Sequence, residues 1–396
     1  MARRLDLARV TVSRGDDPNP FVRYRELFTA WHVALARGFS DDRYVELVRR
    51  LDGQVAGVDG FGFRATPFRS PLALGESLGI ELWVKDETGN VSGSHKGRHL
   101  MGVMLYLAVT EADARPPLAI ASCGNAALAA AVLARAARRA LRVFVPPHAE
   151  AAVMERLRVL GAEIVTCPRE PGLRGDPCLR AFHGAVRDGA VPFCVQGNEN
   201  GLAIEGGETL VEEMLAAGGP PLDHLVVQVG GGALASACAQ ALERAGASGR
   251  LERLPRLHTV QTEGAWPLRR AWGLLQEHER HSGLSPDETL RHAATHRSAF
   301  MWPWEQEPRS AAEGILDDET YDWLAVVRGM ARTGGVPVVA DEATLTEARD
   351  LAWTHTGIRV SHTGAAGLAG VLRLLRDGVI GPGERVAVVF SGVERS

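Results

Sequence analysis

Asn90-Val91-Ser92-Gly93-Ser94-His95-Lys96-Gly97-Arg98 is the stretch on which the reading of this chain turns. Before it, Ile80-Glu81-Leu82-Trp83-Val84 reads as a strand; after it, Leu100, Val103, Met104 and Leu107 recur at helical spacing. The segment is a strand-to-helix turn, with Ser94 as the expected N-cap and Lys96 in the first turn of a helix that runs on through Leu107. The positive end of a helix dipole favours a neutral amine, and a neutral lysine can attack a carbonyl. Of the 44 basic residues only Lys85 and Lys96 are lysine; the rest are arginine. Arginine substitutes wherever only charge is needed but cannot form a Schiff base, so one of the two lysines is a candidate for imine chemistry. Lys85, at a strand end beside Asp86 and Glu87, reads as an ion-pair partner.

The alternation continues outward from this turn. Leu118 to Ala121 reads as a short buried strand before an Ala-rich helix, Asn125 to Ala140. Leu141 to Val145 and Glu163 to Val165 read as strands around a helix, Ala149 to Leu160. A second series has helix Gly207 to Ala217, strand Leu225 to Val229, helix Ala233 to Ala245 and strand Leu257 to Gln261. It closes with helix Ala365 to Arg376 and strand Val386 to Phe390. Strands alternating with helices imply an α/β protein with mostly parallel sheets covered on both faces. Two series imply two three-layer αβα domains with a cleft between them. The expected division is an N-terminal helical extension at 1–60, a larger cofactor-binding domain of 61–105 plus 200–396, and a smaller substrate-side domain at 106–199. Within the extension, Phe21 to Ala36 and Asp41 to Leu51 read as helices and Gly53 to Gly62 as a connector.

Composition narrows the class. The chain has 396 residues, 45% hydrophobic and 23% charged, which suits a folded protein of two or three domains. A net charge of -4 gives no electrostatic footprint for nucleic acid or an anionic membrane. The apolar stretch Ala126 to Ala134 is stopped by Arg135, well short of the roughly 20 residues of a membrane span. Met1-Ala2-Arg3-Arg4-Leu5-Asp6 lacks the apolar core of a leader, and five cysteines without a CxxC fit no disulfide framework or zinc ribbon. A cytoplasmic protein is expected. His292 and His296 are four apart, but Ala293 breaks the HExxH order, so a solvated helix face is the expectation and no metal.

Ligands of parallel sheets sit at the carboxyl ends of strands, beside helix N-termini. Besides the Lys96 turn, three segments qualify. Ser122-Cys123-Gly124-Asn125-Ala126 opens a helix whose free amides suit a carboxylate, with Asn125 able to bond a ring oxygen. Gly230-Gly231-Gly232-Ala233-Leu234 follows a strand and starts a helix, the geometry of a phosphate cradle. Extended to Ala235 it also matches GxGxxA, so a nicotinamide dinucleotide competes there, with Glu263 for its ribose. Ser391-Gly392 puts a hydroxyl at the last strand's end.

Taken in order, these segments resemble the fold-type II pyridoxal phosphate enzymes, among them threonine synthase, serine and threonine dehydratases, cysteine synthase and the tryptophan synthase β subunit. Asn90 to Arg98 resembles the threonine synthase segment N-P-T-G-S-F-K-D-R, Glu205 to Thr209 the EGxxT segment, and Phe21 to Leu27 the RYREL stretch. The resemblance implies pyridoxal 5'-phosphate in the cleft. Lys96 is then the Schiff-base lysine, Gly230, Gly231, Gly232, Ala233 and Leu234 the phosphate loop, and Ser391 the partner of the pyridine nitrogen. Ser122, Cys123, Gly124, Asn125 and Ala126 become the substrate loop, with Asn125 also on the cofactor. A small amino acid is the implied substrate, a homodimer the implied assembly, and β-elimination or replacement, or the γ-route of threonine synthase, the implied reaction. His95 stands where threonine synthase has Phe, and Cys123 where the loop has Ser or Thr. These departures keep open a protein that binds an amino acid without turnover; a nicotinamide oxidoreductase is the remaining alternative.

Overall fold

The computed structural model describes residues 15–111, 115–169 and 175–395; Met1 to Asp6 lie outside them. Among the described residues the strands are β1 (Phe68–Arg69), β2 (Glu81–Asp86), β3 (Leu118–Ala121), β4 (Leu141–Val145), β5 (Glu163–Thr166), β6 (Val191–Pro192), β7 (His224–Gln228), β8 (Arg256–Thr262), β9 (Pro337–Ala340) and β10 (Arg385–Phe390). They form two sheets, one in each of two compact units. The first unit holds the chain up to Ala65 and Gly89–Glu213; the second holds Thr66–Thr88 and Met214–Arg395.

In the first unit the sheet order is β5-β4-β3-β6, all parallel. Leu118, Ala119 and Ile120 are fully buried, as strands covered on both faces must be. The Asn125–Ala136 helix is mostly alanine on its buried faces, which lets it approach its neighbours closely. In the second unit the order is β1-β2-β10-β7-β8-β9, parallel except for β1. The His362–Arg376 helix lies on this sheet through glycines. A Cβ at Gly370 would stand 2.2 Å from Val260 Cγ2, and one at Gly367 would stand 3.1 Å from the Val226 carbonyl.

The α/β alternation and its parallel sheets are as the sequence implies; the N-terminal region differs. The helix expected over Phe21 to Ala36 is two, Pro20–Arg23 and Thr29–Ala36, separated by a tight turn at Arg25–Leu27. The connector expected at Gly53 to Gly62 is largely helical. Its helix runs Asp41–Asp59, capped by the Ser40 side chain and ended by Gly60 at φ 92°. Tyr44, Leu47, Val48, Leu51 and Val55 make one continuous buried stripe, which outweighs the ~1 kcal/mol cost of each internal glycine.

The two units also cut the chain elsewhere than at 60, 105 and 199. The N-terminal helices and the Lys96–Thr110 helix belong with the β3–β6 sheet. That helix is buried on nearly every side, and a Cβ on its Gly102 would stand 3.3 Å from Phe28 Cε1 and 3.2 Å from the Gly206 nitrogen. Its packing partners, from both ends of the unit, decide where it belongs.

Candidate active site

In the first unit the chain enters the lysine-bearing helix through a compressed turn. Asn90 accepts from the Val91 N–H at 2.8 Å, Ser92 adopts φ 59°, ψ 17°, and Gly93 follows at φ 69°. A non-glycine residue in the left-handed region costs roughly 1–2 kcal/mol, and the Ser92 N–H is held there by Asp59 Oδ2 at 2.7 Å. The helix begins at Lys96 itself, with His95 in the cap position. Ser94 is not the side-chain cap: it is extended, and its fully buried hydroxyl makes no hydrogen bond. The turn at Val91–Gly93 and the Lys96–Thr110 helix both pack against the Asn125–Ala136 helix, the helix that the Ser122–Ala126 loop opens. There β3 ends at Ala121 and Asn125 is the first helical residue. Lys96, Ser122 and Asn125 are half-buried, and Cys123 is exposed.

Arg98 anchors the same helix. It is fully buried and grips Glu213 at 2.6 and 2.8 Å while donating to Thr209 Oγ1 at 3.0 Å. Gly206 lies so close to the Arg98 carbonyl that a Cβ would stand 1.9 Å from its oxygen. Glu205 accepts from the Thr29 backbone at 2.9 Å. The Glu205 to Thr209 segment thus buttresses the lysine helix and ties it to the N-terminal helices.

In the second unit β7 ends at Gln228, and Gly230 to Gly232 lead into the Ala233–Ala247 helix, with Gly232 at φ 97°. The N–H groups of that helix's first turn have no carbonyl one turn earlier to bind. Ser391 follows β10 and is buried; its Oγ accepts from Gln228 Nε2 at 2.6 Å. Lys85 is the ion-pair partner it was expected to be: fully buried, its amine donates to the Thr66 carbonyl at 2.7 Å and lies 4.0 Å from Glu87. His292 and His296 stack on each other at 4.0 Å between centroids, with His278 on the far face of His292. Among the described residues no group of three His, Cys, Asp or Glu is arranged to hold a metal, and no helix is long and apolar enough to cross a membrane.

The model of the pyridoxal-phosphate dependent enzymes matches residues 61–392. The chain belongs to this family. It is 26% identical over 330 residues to threonine synthase of Mycobacterium leprae, covering 83% of this chain and 80% of that one. A serine dehydratase-like protein of Mus musculus is 30% identical over 174 residues, 43% of this chain and 50% of its own. Among solved structures, maize serine racemase superposes with a TM-score of 0.65 at 19% identity over 88% of this chain and 93% of that one. The threonine deaminase of T.th. superposes at 0.63 with 22% identity, over 88% and 98%. These structures establish the fold. Membership in a pyridoxal phosphate family replaces the dinucleotide reading of Gly230 to Ala235.

Pyridoxal 5'-phosphate is therefore the cofactor, and the residues present fit it. A Cβ at Gly230 would stand 2.3 Å from Asp317 Oδ2 and 2.8 Å from Ile315 Cα; one at Gly231 would stand 2.8 Å from Tyr321 Cδ2. Only bare backbone passes there, which presents a run of amides at a helix N-terminus, the donor set a phosphate takes. The buried, unpartnered Ser94 hydroxyl two residues before Lys96 is a further polar group suited to a bound ligand. Asp317, Tyr321 and Gln228 escaped the sequence reading. The first two carry no local signal, but Gln228 does: it is the one polar residue of Leu225-Val226-Val227-Gln228-Val229.

Proposed function

We propose that this enzyme acts on a small amino acid by removing its α-proton and eliminating or replacing a β-substituent, as serine and threonine ammonia-lyases do, or by the γ-route of threonine synthase. The observation that carries the reading is the division of labour between the two lysines. Lys85 is committed to a buried ion pair with Glu87, whereas Lys96 is half-buried at the head of a helix that packs on the one opened by the Ser122–Ala126 loop.

When bound, pyridoxal phosphate supplies an aldehyde for amines and a ring that draws electrons from the substrate's α-carbon. Lys96 is the residue that would hold the aldehyde, and its amine would serve as general base for the substrate's α-proton. The amides of Ser122, Cys123, Gly124 and Ala126 bind the substrate carboxylate, and the Asn125 amide group orients the ring oxygen. Gly230, Gly231, Gly232, Ala233 and Leu234 bind the phosphate through backbone N–H groups. Ser391, neutral where an aspartate would hold the ring nitrogen protonated, favours prompt loss of a leaving group. The threonine synthase and serine dehydratase-like relatives support this class of reaction. A homodimer in the cytoplasm completes the proposal.

The test is turnover by the holoenzyme of serine, threonine and O-phosphohomoserine, following ammonia for the first two and phosphate for the third. Release from one of the three identifies the reaction. Saturable binding of an amino acid with no product would favour the second reading, an amino-acid-binding protein on the same fold, to which the exposed Cys123 in the substrate loop lends support.

A further inference from the structure

A cleft of about 350 Å³ opens in the first unit, at the far end of the Lys96–Thr110 helix from Lys96. At 1.5 Å per residue it lies roughly 20 Å along the helix axis from the lysine, well away from the chemistry. Its apolar wall is Leu51, Met104 and Leu107, and its charged lining is four arginines, Arg50, Arg115, Arg138 and Arg139, against one carboxylate, Glu111. Arg139 takes that carboxylate. Its side chain is 4% exposed, paired with Glu111 and donating to the Pro116 carbonyl at 2.7 Å, and its Nε is buried with no acceptor. The helix-end carbonyls of Val109 and Thr110 are taken by Arg37 at 2.8 and 3.1 Å. Among the described residues, the exposed guanidiniums of Arg50 and Arg138 make no ion pair or hydrogen bond.

Arg138 occupies a strained position. It follows the Asn125–Ala136 helix and its cap with φ 54°, and among the described residues only it and Ser92 have positive φ without being glycine. The helices that stop at Gly60, Gly79, Gly283, Gly334 and Gly357 make their left-handed turn with glycine, which adopts it without strain. An arginine there lowers stability, and such strain gathers where a side chain is needed for binding. Two unpaired guanidiniums beside an apolar wall suit a dianion with an apolar body. One carboxylate would leave a cation over, whereas a phosphomonoester carries nearly two charges at neutral pH and offers three oxygens to the planar N–H forks. The volume is at the lower end of the about 300–1,000 Å³ typical of small-molecule sites. We propose that this cleft binds a small organic phosphate, with Arg50 and Arg138 on the phosphoryl oxygens and the organic group against Leu51, Met104 and Leu107. The site is distinct from the phosphate loop at Gly230 to Leu234 and stands whichever reaction the enzyme performs.

The experiment is isothermal titration calorimetry of the full-length holoenzyme with phenyl phosphate, inorganic phosphate and succinate, alongside thermal melts. Phenyl phosphate should saturate at one per chain and bind more tightly than the other two. Arg50→Gln and Arg138→Gly should each weaken it by about tenfold or more, and Arg138→Gly should melt at a higher temperature because glycine relieves the left-handed strain. Failure to saturate, or unchanged affinity in both variants, overturns the site. Inorganic phosphate binding as tightly as phenyl phosphate removes the apolar wall from recognition, and succinate doing so removes the phosphoryl group; either overturns the ligand class. If Arg138→Gly melts lower, the arginine serves the helix end and Arg50→Gln decides alone, with unweakened binding overturning the proposal.

Discussion

The carboxylate of Asp59, the last residue of a nineteen-residue helix, accepts a 2.7 Å hydrogen bond from the backbone N–H of Ser92. Ser92 is a left-handed non-glycine residue four positions before Lys96, so the N-terminal helices hold the turn that aims the lysine. Asp59→Ala leaves that N–H without its acceptor and is expected to cost about 1–3 kcal/mol. It should lower the urea midpoint and weaken cofactor retention together. Asp59→Asn keeps an acceptor oxygen and should recover most of both. Urea melts paired with cofactor titrations of each variant check this; unchanged cofactor affinity in a destabilised Asp59→Ala would show that the helix supports the fold without aiming the turn.

The two lysines should fail in different ways. Lys96→Ala is expected to fold with near-normal stability, to lose turnover, and to lose any cofactor that borohydride can fix to the chain. Lys85→Ala should retain borohydride-fixable cofactor but be destabilised by about 3–5 kcal/mol, because Glu87 is left buried without its cation. Peptide mass mapping after reduction, alongside denaturant melts, distinguishes them. Label on any residue other than Lys96 would remove it from the proposed role.

Arg98 and Glu213 form a buried two-pronged pair that a lysine cannot reproduce. Arg98→Lys should cost about 3–5 kcal/mol despite keeping the charge. The double variant Arg98→Met with Glu213→Leu should regain much of that loss, since neither charge then remains uncompensated. Denaturation of Arg98→Met, Glu213→Leu and the double gives the coupling, and simple additivity would count against the pair acting as a unit.

Acid sensitivity has an identifiable source in the second unit. The Val336 N–H donates to His258 Nδ1 at 3.1 Å, which makes Nε2 the protonated nitrogen, and Nε2 donates to His224 Nδ1 at 3.0 Å. His224 Nε2 in turn donates to Glu384 at 3.2 Å. Burial, with the neighbouring His224 adding to it, pushes His258 down to about 4. Its folded pKa lies below the ordinary value of about 6.5, so the unfolded chain binds the extra proton first. The contribution is complete above pH ~6.5 and falls away down to pH ~4, by about 3 kcal/mol in total. Urea melts at pH 7 and pH 5 should show the slope, and His258→Gln should flatten it. An equally steep fall in that variant would assign the slope to other groups.

Periodicity was enough to find most of the strands and helices of both sheets, because a buried parallel strand and an amphipathic helix are written in adjacent residues. The Asp41–Asp59 helix looks shorter in the sequence because Gly53 and Gly57 break propensity locally, while the buried stripe ending at Val55 needs a packing partner to count. Ser94 has the residue type of a cap, but the helix starts at Lys96 and the Ser94 hydroxyl is turned into the interior. The Pro267–Ser282 and Glu342–Thr356 helices and β9 carry weaker local patterns than their neighbours and show only in the structure.

What the sequence by itself determined is local: the lysine at a strand-to-helix turn, the glycine run that opens a helix, the alternation that makes parallel sheets, and the order of motifs that points to pyridoxal phosphate. Tertiary structure decided which groups answer one another. Gln228 and Ser391 are 163 residues apart and share a hydrogen bond; Asp59 and Ser92 are 33 apart, and Arg98 and Glu213 are 115 apart. Burial commits Lys85 to Glu87, and close backbone approach at Gly206 and Gly102 sets which unit the Lys96–Thr110 helix joins. The physical reason is that a dihedral preference acts within a few residues, whereas a hydrogen bond's polarity and a buried charge's partner depend on whatever the folded chain places within about 3 Å.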